Sequence, residues 1–290
     1  MPRVTTFSIA AFDPDGPSWG VAVASKFPAV GAVVPWAAAG SGAVATQSYA
    51  NTSFGPRGLQ LMASGRSADD ALQALLADDP GREQRQVGLV DAQGGSATFT
   101  GKDCYAWAGG KAGEHFAVQG NILAGPDVVE AMAEAFAGRE GDVAGRLLSA
   151  LLAGDRAGGD RRGRQSAAIL VVRAGAGYGG FNDVWLDYRV DDHPDPVTQL
   201  FELVSLHRLY FGKSSPEDEI PVSGEVAREL QAMMRRLGYY QGEATGEYDG
   251  PMREAFRQFL GNENFEDRTD FDAGRIDAPV LEFLRRKFGN

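Results

Sequence analysis

The chain has 290 residues, 43% of them apolar, enough to bury an ordinary core in one large domain or a large and a small one. Its 28 basic and 39 acidic residues give a net charge of −11, a sign that argues against binding a nucleic-acid backbone. With Cys104 as the single cysteine, no intrachain disulfide can form, and Cys104 reads as a small hydrophobe rather than a nucleophile.

Residues 6–12 (TFSIAAF) and 19–27 (WGVAVASKF) alternate with period two around the turn residues DPDGP, which predicts a hairpin. In its second strand Trp19, Val21 and Val23 share one face. Gly20, Ala22 and Ala24 share the other, small enough for another layer to approach closely. Residues 30–47 predict two further short strands around a glycine turn. The period then becomes helical, with Leu72, Leu75 and Leu76 spaced along one face and Ser67 as an N-cap with Asp70 behind it.

Strands return at 85–92 and 96–101. Residues 115–125 lead into a helix with an apolar stripe of Val128, Val129, Met132 and Phe136, and 143–154 form a second helix. The loop DRAGGDRRGRQ feeds the apolar strand SAAILVV; VWLDYRV alternates, and 196–211 form an amphipathic helix. Short connections favour antiparallel pairing, so two antiparallel layers with helices outside, an α+β sandwich, are expected. Residues 1–211 form the main domain in this reading, 212–221 (GKSSPEDEIP) a polar linker, and 222–290 a small, mainly helical domain. No basic stretch followed by an apolar core opens the chain, and no apolar run approaches the roughly 20 residues of a membrane span. The expectation is a soluble, cytoplasmic protein with no membrane partner.

TFSIAAFDP, GAVATQ, GPRGL, RQVGLVD, VQGNILAG, GGDRRGRQSAAILVV and RVDDHPDPV together resemble a family of prokaryotic proteins of unknown function. The fold of that family is like that of the N-terminal-nucleophile (Ntn) hydrolases. The resemblance covers about residues 5–211, and residues 223–290 are similar to a peptidoglycan-binding domain that some members carry at the C-terminus. It implies a four-layer α-β-β-α sandwich like a proteasome β-subunit, a small-molecule substrate with an amide or acyl bond, and a homo-oligomer. A peptidoglycan fragment is the partner implied for the C-terminal domain.

In working enzymes of that superfamily a Thr, Ser or Cys exposed as residue one attacks the carbonyl, and its α-amine serves as base. Thr6 has the matching place, but five residues precede it. It is either a masked nucleophile or the first rung of a sheet. Ser25 and Lys26 stand about where the proteasome has an aspartate. Lys26 would serve as base for Ser25 only if burial lowered its pKa and the strand ended at Ser25, because neighbours in a strand point to opposite faces.

The remaining candidates are polar groups on loops and strand ends. In GGDRRGRQSAA an arginine fork, Arg164, suits a substrate carboxylate, with Gln165 and Ser166 as oxyanion donors. The alternative is an internal network of Asp160 with the arginines. Gln47, Asn51, Gln119 and Asn121 either line a polar pocket or satisfy buried backbone. Asp191, Asp192, His193 and Asp195 are cation-ligand types, but their spacing reads as a turn capping the next helix, so no metal and no cofactor are expected. Tyr239, Tyr240 and Tyr248 either stack on sugars or build the core of the small domain. Two functions follow: an amidohydrolase acting on a small, anionic substrate, or a non-catalytic binding protein on the same scaffold.

Overall fold

The computed structural model describes residues 6–212 and 214–289. They divide into two compact units, the first ending at Val204 and the second beginning at Ser205.

The first unit carries two antiparallel sheets. One has six strands: β1 (Thr6–Asp13), β2 (Ser18–Ser25), β7 (Gly109–Gly113), β8 (Phe116–Asn121), β9 (Ser166–Val172) and β10 (Val184–Val190), in the order β10-β9-β2-β1-β8-β7. The other has four: β3 (Pro35–Ala38), β4 (Gly42–Ser48), β5 (Arg85–Asp91) and β6 (Ser96–Thr100), in sequential order. Helices α1 (Phe54–Ala63), α2 (Ala68–Ala77), α3 (Asp127–Ala137) and α4 (Val143–Arg156) connect them, and α5 (Pro196–Phe211) begins in this unit and ends in the second. As the sequence pattern requires, the Ser67 hydroxyl caps α2 by accepting from the Asp70 N–H at 3.1 Å.

Strand parity sorts the side chains into layers. Phe7, Ile9 and Ala11 of β1 pack against Val128, Met132 and Phe136 of α3 and Leu147 and Leu151 of α4. The alternate positions Ala10, Phe12, Val21 and Val23 face Ala43, Ala45 and Val90 of the four-stranded sheet. That sheet's far side, Val44, Val87 and Leu89, packs on Phe54 and Met62 of α1 and on Leu72 and Leu75 of α2. The order is therefore helices, sheet, sheet, helices, an α+β fold. Each fully buried Leu, Phe or Met in these layers contributes on the order of 1.5–3 kcal/mol.

Two details differ from the sequence reading. β2 stops at Ser25, so Lys26 and Phe27 belong to the following turn. β7 (GGKAG) is a strand that no period-two signal marks.

In the second unit α6 (Gly224–Leu237), α7 (Gly250–Asn262) and α8 (Ala278–Phe288) surround a core that includes Met233, Met234, Phe256, Phe259, Phe265 and Leu281. A three-stranded sheet, β11 (Glu219–Pro221), β13 (Arg275–Asp277) and β12 (Thr269–Asp270), lies beside them. The expected linker thus ends in a strand, with Glu219–Pro221 paired to Arg275–Asp277. Tyr240 is buried, and Tyr239 and Tyr248 pack against the same core, with the Tyr248 hydroxyl donating to the Phe271 carbonyl at 2.9 Å. Among the described residues no helix is long and apolar enough to cross a membrane.

Candidate active site

The layer between the two sheets is apolar at one end and polar at the other. Moving along β1 from Phe12 and Ala10, the same face continues to Ser8 and Thr6. Along β2 it continues from Val23 to Ser25, along β9 from Ala168 to Ser166, and along β8 from Ala117 to Gln119 and Asn121. Strand register aligns four of these across the sheet: Ser166 opposite Ser25, and Thr6 opposite Asn121. The Thr6 hydroxyl lies 3.4 Å from that of Ser25 and links the two pairs into one row. Thr6, Asn121 and Ser166 are fully buried and Ser25 is 2% exposed. The reading that residues 2–5 cover the substrate position lies outside the described residues.

Gln47 and Gln86 face this row from the other sheet, both fully buried. Backbone carbonyls, which can only accept, orient the whole network. The Gln86 amide donates to the carbonyls of Gly120 at 2.7 Å and Gly109 at 3.2 Å, and to the Thr100 hydroxyl at 2.9 Å. Its Oε1 must then accept, and it does so from Gln47 Nε2 and from Asn121 Nδ2, each at 2.9 Å. Gln47 Nε2 also lies 3.3 Å from the carbonyls of Thr6 and Gln119. Ser8 donates to Gln47 Oε1 at 2.7 Å and accepts from Gln119 Nε2 at 2.7 Å.

A glycine makes room for this packing. A Cβ at Gly88 would stand 1.9 Å from Gln119 Oε1. One acceptor is left over: Asn121 Oδ1 is buried without a hydrogen-bond partner, a condition shared among the described residues only by His115 Nδ1. Leaving such an atom unpaired costs about 1–3 kcal/mol.

Lys26 and Gln165 lie in the frame around this row, and Ser166, within it, also bonds to that frame. Lys26 is exposed, and its amine donates to the Arg164 carbonyl at 3.4 Å, so it lacks the desolvation a lysine base needs. Ser166 braces a turn, donating to the Phe27 carbonyl and accepting from the Val30 N–H at 3.2 Å. The Gln165 amide donates to Asp192 at 3.1 Å and its backbone N–H to the Ser25 carbonyl at 3.1 Å.

The arginine loop is an internal ion network. Buried Asp160 accepts from the Lys26 N–H at 2.9 Å and from the Arg162 backbone and guanidinium. Arg164 Nε donates to Asp155 of α4 at 2.7 Å. Gly163, at φ +112°, closes the loop where a side chain would be strained. Beside the loop, Asp155, Arg156, Asp160, Arg164 and Pro194 line a cavity of about 410 Å³, in which Arg164 is paired with Asp155.

Asn51 is drawn elsewhere. Its amide donates to Asp79 at 3.1 Å, and Arg85 binds the same carboxylate from Nε at 2.8 Å. These bonds, that of Arg85 foremost, hold the Asp79 carboxyl down at about 2 against the opposing effect of burial. Burial pushes the Cys104 thiol up, in keeping with an unreactive side chain. The His193 ring accepts from the Asp195 N–H at 3.0 Å, so this segment forms a turn at the start of α5.

The family model described as "Family of unknown function (DUF1028)" matches residues 6–200. The chain belongs to this family. Its match begins at Thr6 and includes every residue of the row and of the frame around it. Residues 210–284 match a model described as "Putative peptidoglycan binding domain". Among solved structures, the chain is similar to a DUF1028 protein from Silicibacter pomeroyi, at 30% identity and a TM-score of 0.65. The match covers 77% of this chain and 89% of that one. No curated protein matches.

Sequence reasoning missed Ser8, Gln86 and Asp155. Ser8 and Gln86 carried a signal, each being a polar residue on a strand face whose other end is apolar. Asp155 carried none, since only the turn after α4 brings it beside Arg164.

Proposed function

We propose that the DUF1028 unit is an amidohydrolase of the Ntn type, latent while residues precede Thr6, with Thr6 as its nucleophile once its α-amine is free. One observation carries the reading: a buried polar row, Ser166–Ser25–Thr6–Asn121, crosses the six-stranded sheet and faces the second sheet. Nothing in the packing of an apolar core calls for hydroxyls there. The layering of helices on paired antiparallel sheets agrees with an Ntn-like sandwich.

The chemistry balances as follows. Water hydrolyses the bond between Thr5 and Thr6, leaving a carboxylate on Thr5 and an amine on Thr6. That amine, with a pKa of about 8, takes the hydroxyl proton as Thr6 Oγ1 attacks an amide carbonyl. The proton passes to the departing amine, and an ester remains on Thr6. The same amine then deprotonates a water, which cleaves the ester, releases the acid and restores the hydroxyl.

The anionic character expected of the substrate rests on the loop arginines, of which Arg162 and Arg164 are paired with Asp160 and Asp155. The test is a chain cut to begin at Thr6, assayed against small amides and acyl amino acids. Activity that disappears in Thr6→Ala and survives in part in Thr6→Ser is the expected result. An inert cut chain that still melts cooperatively would refute the nucleophile and favour the second reading, a binding protein.

Two observations favour that second reading. Thr6 is fully buried, and the second unit matches a peptidoglycan-binding model. That unit also holds a polar groove of about 530 Å³ lined by Arg257, Thr269, Asp270, Phe271 and Arg275, where a peptidoglycan fragment would bind. Sedimentation with insoluble peptidoglycan, with and without Arg275→Ala, tests it.

A further inference from the structure

The unpaired oxygen of Asn121 points to a positioning role, resting on the reading of Thr6 just given. Its orientation follows from the network. Gln86 is oriented by the Gly109 and Gly120 carbonyls, its Oε1 must accept, and Asn121 therefore turns its Nδ2 toward Gln86. The other end of the Asn121 amide is an acceptor by elimination, fully buried and without a partner.

Its place is equally defined. Asn121 sits on β8 at the register position opposite Thr6 and on the same face, where opposed side chains stand about 4.5–5.5 Å apart at Cβ. The Thr6 nitrogen is an amide with a single hydrogen while the chain continues before it. Cut before Thr6, it becomes an ammonium with three. An acceptor without a donor thus stands across from a nitrogen that gains donors only on cutting.

We propose that Asn121 Oδ1 accepts an N–H of the Thr6 α-ammonium in the cut chain and so positions the amine beside its own hydroxyl. An amide suits this task better than a carboxylate. It holds the ammonium without a counter-charge, so the amine can still release its proton near neutral pH and act as base. A carboxylate at the same place would keep it protonated.

The experiment measures the pKa of the Thr6 α-amine by NMR in the cut chain, for wild type, Asn121→Asp and Asn121→Leu. Asn121→Asp is expected to raise that pKa by about 1–3 units and Asn121→Leu to lower it. In the active enzyme the acidic limb of the pH–rate profile should follow. The same pKa in all three proteins would overturn the proposal. The titration needs no turnover, so an inert cut chain would defeat the nucleophile reading and leave this measurement standing. A thermal melt gives a second readout: the cost of Asn121→Asp should be larger in the full chain, which has no ammonium, than in the cut one. Equal costs, or a cut chain that no longer melts cooperatively, would also overturn it.

Discussion

Gln47 of β4 and Gln86 of β5 meet side chain to side chain at 2.9 Å, and through them the four-stranded sheet grips the six-stranded one. Gln47 reaches the Thr6 and Gln119 carbonyls while Gln86 reaches those of Gly109 and Gly120. Breaking this pair strands several buried acceptors at once. Gln86→Leu is expected to lower stability by about 2–4 kcal/mol, since each abandoned carbonyl costs about 1–3 kcal/mol. Urea denaturation checks it, and a loss below about 0.5 kcal/mol would mean that water enters the layer and replaces the amide.

Asp79 predicts an acid limb. Its folded pKa of about 2 lies below its ordinary 3.8, so the unfolded chain binds the proton more readily. The stabilisation is fully present above pH 4 and is lost as pH falls from about 4 to 2. Asp79→Asn should flatten that part of the stability–pH curve and cost about 1.5–3 kcal/mol at neutral pH, the worth of a charge-assisted bond. Thermal melts from pH 2 to 7 read both effects.

In the second unit Arg268 pairs with Asp277, the two side chains 5% and 9% exposed, and donates to the carbonyls of Arg208 at 3.0 Å and Leu209 at 2.7 Å. Arg268→Met would leave Asp277 buried and unpaired, an expected loss of about 3–5 kcal/mol. Adding Asp277→Leu should return much of it, because the uncompensated charge goes with it. If the double variant is as unstable as the single one, the lost carbonyl contacts dominate instead.

Truncation tests separability. A chain ending at Phe211 is expected to stay soluble and melt in one cooperative transition, since the first unit has its own cores on both faces of its six-stranded sheet. An insoluble or non-cooperative product would show that the second unit is needed to hold the first.

The fold was largely legible because its signals are local. Period two marked β1, β2 and β10, the leucine spacing marked α2, and Ser67 marked where α2 begins. β7 was not legible, since three of its five residues are glycines and a face needs side chains to be seen. The candidate site was legible in its residue types and illegible in its connections. Thr6, Gln47, Gln119 and Asn121 could be singled out one strand at a time. Their convergence depends on which sheet faces which, and that is a long-range property. The arginine loop admitted two readings from sequence, and the choice turned on Asp155, whose proximity is set by how α4 ends.

Besides its pairing with Asn121 across the sheet, Thr6 is tied into the structure in two separable ways. Its main-chain carbonyl is held by Gln47, while its hydroxyl reaches sideways to Ser25. The first tie is indifferent to which amino acid occupies the position, and the second is a single long contact. A side chain of similar size without the hydroxyl would leave the carbonyl tie in place. A frame held in this way does not depend on whether residue 6 bears a reactive group.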